Sequence, residues 1–455
     1  MSNAQPTPEE LPSQPRPRRR APKAAESSVP LRAPDLLGIV ERGANVRRHR
    51  WLRDLAIILP SVAVSALLQC AIYASFILRA TRSDWNNLAI VCFALCLVPL
   101  VAGALLPALR RHEFPITVAV VVTAVVFNFA VAVLSALRIP VSYWGLLSAA
   151  PVAILGMVYT NLSFRRAVRD RVAILDFPGA RKVLELLGDD VVVITNRSEN
   201  VAGFDRILID SEAHHSALWS KLLTRIYMLG IDVTPWISFV ETRLGRVDVE
   251  SFDIAHLVFS PSQIYYSKVK RLVDVTAVLI ALPLAVPLGA LVWLYIRALD
   301  GGPALFRQER RGHGGSTFTM LKFRTMYRGT NGGATQPNDN RVMPGCRFLR
   351  ALRLDELPQL VNILRGEMSW IGPRPVAVPI AEALEATIPQ YVHRQLVLPG
   401  LSGWAQVSHG YASNHREEIE KLAYDLYYIK EMSFDLDLLI LAKTLRTLLF
   451  RSKVH

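Results

Sequence analysis

The chain is short of charge, and of acid in particular. Only 20% of its 455 residues are charged, and 38 Asp+Glu face 52 Lys+Arg, a net +14. With 51% apolar residues, this composition excludes a disordered or fibrous chain and is too greasy for an ordinary soluble enzyme. The excess of base points to anionic partners such as a lipid surface or phosphorylated ligands. Cysteine is scarce too. Cys70, Cys92 and Cys96 lie in apolar runs and Cys346 stands alone, a spacing that suits neither a zinc cluster nor a disulfide framework. The first ~34 residues, with Arg18-Arg19-Arg20, read as a disordered basic tail, which we extend to residue 50. No recognition fold surrounds the tail, so nucleic acid is not an expected partner.

Long apolar runs are plentiful. Leu55–Leu78, Leu88–Leu109, Ile116–Leu137 and Val141–Leu162 each match the ~20 residues a helix needs to cross a bilayer. They predict a four-helix transmembrane region over 51–164. Arg42, Arg47, Arg48, Arg50 and Arg53 precede it, and Arg165, Arg166, Arg169 and Arg171 follow it. The short connections carry fewer cations: Arg79 and Arg82, Arg110 and Arg111, then Arg138. Both ends are therefore expected in the cytoplasm. The runs contain almost no ionisable residue, which argues against a transporter.

Residues 165–262 read as a soluble α/β unit. Val172–Leu175, Val191–Thr195 and Arg206–Ile209 are strand candidates, with helix around Val183–Leu187 and His214–Leu229. A dinucleotide site would need G-x-G-x-x-G after the first strand. The turn Asp176-Phe177-Pro178-Gly179-Ala180 has one glycine, so the unit reads as a degenerate Rossmann-like domain with a structural, dimerising or regulatory role.

A fifth apolar run, Val273–Ile296, follows Lys268, Lys270 and Arg271, contains Asp274 and carries Pro283 and Pro287. Proline removes a backbone donor and bends a helix. Of two readings, a spanning helix and a re-entrant one over about 270–297, we prefer re-entry, which keeps both flanks on one side.

The chemistry-bearing residues lie beyond it. Leu357, Leu360, Val361 and Leu364 follow i, i+3, i+4, i+7, which predicts a buried helical stripe. Asp355, Gln359 and Asn362 fall on another face. Pro358 fits only the first turn, which puts Asp355-Glu356 at the helix N-terminus. An N-cap aspartate would explain the pair taken alone. Its neighbours point further: Lys322 and Arg324 in Lys322-Phe-Arg-Thr-Met326, Arg350 and Arg353 before the pair, and Gly372-Pro-Arg374-Pro375 after it. Arginine forks onto phosphate oxygens. Two adjacent carboxylates among fixed cations suit phosphoryl transfer, one attacking phosphorus and the other helping to hold Mg²⁺.

From Lys270 onward the chain resembles the bacterial sugar transferases, the polyprenyl-phosphate hexose-1-phosphate transferases. The resemblance rests on Lys270-Arg271…Asp274…Pro287, Phe306-Arg-Gln-Glu-Arg-Arg-Gly312, Lys322–Met326, Phe348-Leu-Arg350…Leu354-Asp-Glu-Leu-Pro-Gln-Leu360, Met368-Ser-Trp-Ile-Gly-Pro-Arg-Pro375 and Pro399-Gly…Gly403-Trp-Ala-Gln-Val407. It implies transfer of a hexose-1-phosphate from a UDP-sugar to undecaprenyl phosphate with release of UMP, in exopolysaccharide, capsule or O-antigen synthesis at the bacterial inner membrane. It implies Asp355 as nucleophile, Glu356 and Asp355 as the Mg²⁺ carboxylates, and Lys322, Arg324, Arg350, Arg374 and Asp425 as substrate contacts. Arg271, Asp274 and Pro287 would belong to the re-entrant helix. Phe434–Arg451 is expected to lie on the membrane surface.

The expected fold is thus a membrane α/β protein: four N-terminal helices, a degenerate Rossmann-like middle domain that is a candidate homodimer contact, and a mainly helical catalytic domain over 263–455. Three positions depart from the family pattern: Val286 before the bending proline, Leu398 before Pro399-Gly400, and Ser408-His409-Gly410-Tyr411. The competing reading is a catalytically idle membrane scaffold. Retention of Asp355, Glu356, Lys322 and Arg374 together argues against it.

Overall fold

A computed structural model describes residues 33–79, 85–107, 109, 114–168, 170–177, 179–187, 191–195, 201–210, 219–250, 252, 254–257, 259–329, 339–409 and 415–450. Residues 1–32 of the expected tail, Arg82, Arg110, Arg111, Arg169 and Gly410-Tyr411 lie outside them. Helix α1 (Ala33–Arg79) begins within the segment expected as tail, because Pro34 fits a first turn and no further proline intervenes until Pro60. Helices α2 (Trp85–Leu105), α3 (Pro115–Ala136) and α4 (Tyr143–Ala167) follow the next three apolar runs closely. α1 packs on α2 and α4, and α3 on both of the latter. Small residues permit close approach: a Cβ added to Gly103 would stand 2.8 Å from Val62. Among the described residues, these four helices and a fifth are long and apolar enough to cross a membrane.

The middle domain is a parallel sheet of order β2-β1-β3-β4. It contains β1 (Val172–Leu175), α5 (Ala180–Leu187), β2 (Val191–Ile194), β3 (Arg206–Ile209), α6 (Ser220–Met228), β4 (Asp232–Pro235) and α7 (Trp236–Leu244). The three expected strands are present. The fourth was missed because Asp-Val-Thr-Pro has no apolar run, and it is held in register by β3.

Helix α8 (Pro261–Asp300) opens with a capping box, Ser260 to Gln263, and closes at left-handed Gly301. Pro283 and Pro287 lie inside it, and neither ends it. The antiparallel pair β5 (Leu305–Arg311) and β6 (Thr317–Phe323) follows, then α9 (Cys346–Ala351), a 3₁₀ turn (Leu354–Glu356), α10 (Gln359–Arg365), β7 (Ser369–Ile371), α11 (Val378–Thr387), β8 (Gly400–Ser402), α12 (Trp404–Ser408), α13 (His415–Lys430) and α14 (Phe434–Phe450). The hairpin and the parallel β7–β8 pair add sheet to a region expected as mainly helical.

The bodies dock on one another. Asp435 at the start of α14 accepts from the backbone N–H groups of Ile116 (2.6 Å) and Thr117 (2.9 Å), capping α3. Trp404 Nε1 donates to the Gly245 carbonyl of the middle domain at 2.6 Å, and Lys430 pairs with Glu241.

Candidate active site

The Asp355-Glu356 pair sits where two short helices meet. α9 ends at Ala351 with Leu352 as its C-cap, and Arg353 takes a left-handed conformation (φ 55°), which for a residue with a side chain costs about 1–2 kcal/mol. That reversal starts the 3₁₀ turn holding the pair, and Pro358 leads into α10 without needing a donor. Both carboxylates are buried, Asp355 9% and Glu356 6% exposed.

The expected buried stripe on α10 is only partly present. Leu360 and Ile363 are buried, but so are Gln359 and Asn362, while Val361 and Leu364 are exposed. Asn362 is drawn inward by hydrogen bonds. Its Oδ1 accepts from Leu321 N at 3.1 Å, and its Nδ2 donates to the Thr319 carbonyl at 2.8 Å and to Glu367 at 2.6 Å.

Three cations converge on Glu356. Lys322 at the end of β6 and Arg374 of the Pro-Arg-Pro turn each donate to Oε1 at 3.0 Å, and Arg353 stands 3.8 Å from Oε2. Burial opposes ionisation of Glu356, but Arg374, Lys322 and Arg353 outweigh it and hold the carboxyl at about 2. Asp355 behaves in the opposite way. Burial raises its pKa above the ordinary aspartate value and Glu356 adds to the rise, while Lys322 and Arg350 pull it down. Burial and then Arg374 lower the Lys322 ammonium, against the pull of Glu356 and Asp355. One carboxylate is thus clamped as a permanent anion beside another whose charge is poised, an arrangement that separates the roles of two adjacent acids.

The scaffold behind the cations explains their placement. A Cβ on Gly400 would stand 2.1 Å from Gly372 N, and one on Gly403 would stand 2.4 Å from the Gly372 carbonyl, so β8 and the start of the Pro-Arg-Pro turn meet backbone to backbone. Arg310 donates to the Pro375 carbonyl at 2.9 Å, and Arg394 to the Arg374 carbonyl at 2.9 Å. Burial, with Arg374 beside it, pushes Arg310 down to about 10.

Asp425, expected as a substrate contact, is 1% exposed and takes Arg394 Nε at 2.8 Å. It fixes Arg394, which in turn holds the Arg374 carbonyl of the Pro-Arg-Pro turn. Arg271 donates to the Ile363 and Leu364 carbonyls and so caps the C-terminus of α10. Asp274 is buried and accepts from Trp370 N at 3.3 Å, next to β7. Arg350 faces Asp355 electrostatically. Arg324 is buried against the Gly301-Gly302 turn after α8, while Pro287 lies within α8. Sequence reasoning missed Arg310 and Arg394 as supports of the turn. Arg310 stood in a quoted motif, whereas Arg394 carried no local signal.

The site suits a hard cation with few protein ligands. Glu356 Oε2 is buried and, among the described residues, accepts no hydrogen bond. No cluster of three or more His, Cys, Asp or Glu able to hold a metal occurs among them. A metal here would rely on Asp355, Glu356, water and substrate oxygens, which is the habit of Mg²⁺.

Comparison with known proteins fits this geometry. The family model for bacterial sugar transferases matches residues 265–451. The chain is 34% identical over 359 residues to the UDP-N-acetylgalactosamine-undecaprenyl-phosphate N-acetylgalactosaminephosphotransferase of Aeromonas hydrophila, covering 77% of this chain and 84% of that one. It is 42% identical over 185 residues to the UDP-glucose:undecaprenyl-phosphate glucose-1-phosphate transferase of Caulobacter vibrioides, covering 40% of this chain and 69% of that one. The Escherichia coli protein of the same name is 38% identical over 180 residues, covering 38% of this chain and 39% of that one.

Proposed function

Because this chain belongs to the bacterial sugar transferase family, we propose that it moves a sugar-1-phosphate from a UDP-sugar to undecaprenyl phosphate, releasing UMP, at the start of a polysaccharide repeat. The observation that carries the reading is the burial of Asp355 beside Glu356, on which Lys322, Arg374 and Arg353 converge. In this reading an Asp355 oxygen attacks the β-phosphorus of the donor, the phosphorus attached to the sugar. The bond to the bridging oxygen breaks, and UMP leaves with that electron pair. The resulting aspartyl phospho-sugar is then attacked by the acceptor phosphate oxygen, which frees Asp355. In this reading Lys322, Arg350 and Arg374 offset charge gathering on the transferred phosphoryl oxygens. Mg²⁺, when bound to Glu356 and Asp355, would neutralise donor phosphate charge. Asp355 must be ionised to attack, and nearby cations keep that accessible despite burial.

The proposed topology places both ends in the cytoplasm, with α8 entering the membrane and returning. Two observations support it. Arg271, Asp274, Val292 and Ile296, on both sides of Pro283 and Pro287, pack on the same catalytic body. The cytoplasmic turn expected before α3 meets Asp435 of that body.

The deciding experiment incubates purified full-length protein with a panel of UDP-sugars and Mg²⁺ and measures UMP, with and without undecaprenyl phosphate. A single stoichiometric burst without acceptor and turnover with it are expected. No release from any UDP-sugar would reject the reading in favour of an idle scaffold. Single cysteines at Lys268 and Pro303 should both label from the cytoplasmic side. Periplasmic labelling of the second would mean that α8 crosses.

A further inference from the structure

We propose that Asn362 is a positioning residue that sets Lys322 against the Asp355–Glu356 pair by standing in for a third strand beside β6. The proposal rests on the role given above to Lys322. β6 pairs with β5 along Thr317–Phe323. On the opposite edge the Thr319 carbonyl and the Leu321 N–H point the same way, as the two groups flanking one residue of a neighbouring strand do. No strand lies there among the described residues. Instead the Asn362 amide fills the position, Oδ1 accepting from Leu321 N at 3.1 Å and Nδ2 donating to Thr319 O at 2.8 Å. Nδ2 also donates to Glu367 Oε2 at 2.6 Å, so only this orientation of the amide satisfies every partner.

The placement ties two parts of the site together. Asn362 belongs to the helix that continues directly from the Asp355-Glu356 turn, and Lys322 is the residue after Leu321. A fully buried amide on a short helix must have its polar atoms paired, and an apolar residue in its place would leave the Leu321 N–H and the Thr319 carbonyl without these partners. What the amide adds is register. It holds the β6 backbone one residue from the Lys322 Cα at a fixed distance from the helix bearing the nucleophile, and Lys322 then reaches Glu356 Oε1 at 3.0 Å. A shift of about 1 Å in such a group costs up to about a hundredfold in rate.

The test is a double-mutant cycle on the full-length protein, reading UMP release, with Asn362→Leu, Lys322→Met and the pair. If Asn362 acts through Lys322, Asn362→Leu lowers kcat by about tenfold to a hundredfold with KM for the UDP-sugar little changed. In the Lys322→Met background the same substitution then costs less than about twofold. Leu426→Ala, a buried change in a different cluster, should lower thermal stability while keeping kcat. Should Asn362→Leu fail to fold, Asn362→Asp/Glu367→Gln reads the same cycle, since it keeps the acceptor for Leu321 N and loses the donor to Thr319 O. An equal loss with and without Lys322, or an equal kcat loss in Leu426→Ala, overturns the proposal. Wild-type protein that releases no UMP would fail the functional reading instead, a result the cycle cannot mimic.

Discussion

Replacing Lys322 by methionine removes one charge from the site while keeping most of the side chain's length. Lys322 is foremost among the groups that oppose the effect of burial on Asp355. Two unit charges about 4 Å apart at an effective dielectric of about 20 interact by roughly 4 kcal/mol, which sets an upper bound for a more distant pair. The Lys322 side chain is 17% exposed and Arg350 also faces Asp355, so water and a second cation reduce the loss. We expect about 1–3 kcal/mol less stabilisation of the Asp355 carboxylate. Asp355 is already raised, and removing a cation raises it further, so the ionised, attacking form is lost at a higher pH. Glu356 keeps Arg374 and Arg353 and stays ionised through that window. The acid limb of UMP release should therefore move up by about 1–2 pH units in Lys322→Met. The assay is the pH profile of the acceptor-free burst, which isolates the first transfer. A plateau that falls while the acid limb stays in place would refute the claim that Lys322 acts on the charge of Asp355, and would leave it as a substrate contact alone.

Other substitutions separate the remaining roles. Asp355→Asn should abolish the UMP burst even without acceptor, and substantial turnover would sink the covalent assignment. Glu356→Gln should leave some burst while shifting the Mg²⁺ dependence to higher concentration, and an unchanged Mg²⁺ titration would remove Glu356 from the metal site. In wild type the acid limb should lie above the ordinary aspartate value of about 4 and report one group, since Glu356 titrates near 2. Asp425→Asn breaks a buried ion pair and should cost about 3–5 kcal/mol of stability, partly restored by Arg394→Met, as a thermal melt would read. If Asp425→Asn instead raised KM without moving the melt, Asp425 would be a substrate contact after all.

Much of the site was legible because its chemistry is carried by residue types. Asp355, Glu356, Lys322 and Arg374 stood out as two acids among fixed cations, and the fold brings all four together. The Asp425–Arg394 pair was not legible because Arg394 lies 31 residues earlier and only tertiary packing joins them. The β5–β6 hairpin was not legible either, since Leu-Phe-Arg-Gln-Glu-Arg-Arg shows no alternation of apolar and polar residues and becomes a strand by pairing with β6. The inverted α10 has a different cause. Periodicity assigns apolar residues to the inside on the premise that water lies outside. Val361 and Leu364 are exposed beside the Arg271 cap of a helix rich in exposed leucine and isoleucine, a setting in which an apolar outer face suits lipid.

The same reasoning bears on α8. Forty residues at about 1.5 Å each would reach about 60 Å, twice the thickness of a bilayer's hydrocarbon core. Catalytic-domain contacts recur along most of that length. Arg271 caps α10, Asp274 meets Trp370, and Val278 packs with Phe318 and Met320. Val292 and Ile296 pack with Phe323, Cys346 and Leu349, and the Tyr295 ring lies 6.0 Å from Phe348. The intervening faces expose Leu272, Ile280, Leu284, Val286, Leu291 and Leu294, which the described residues leave uncovered. A crossing helix would have to carry the β5–β6 hairpin, whose Phe318, Met320 and Phe323 pack on it and whose Arg307 and Glu309 are exposed, into hydrocarbon with it, at a cost of several kcal/mol for each charge. The re-entrant course proposed above, with both flanks of α8 on the side of the catalytic body, avoids that cost. Under that proposal Lys322 and Asp355 stay in water while the outer leucines meet lipid. On this account the packing of both ends of α8 on one body, more than either proline alone, is what favours re-entry over crossing.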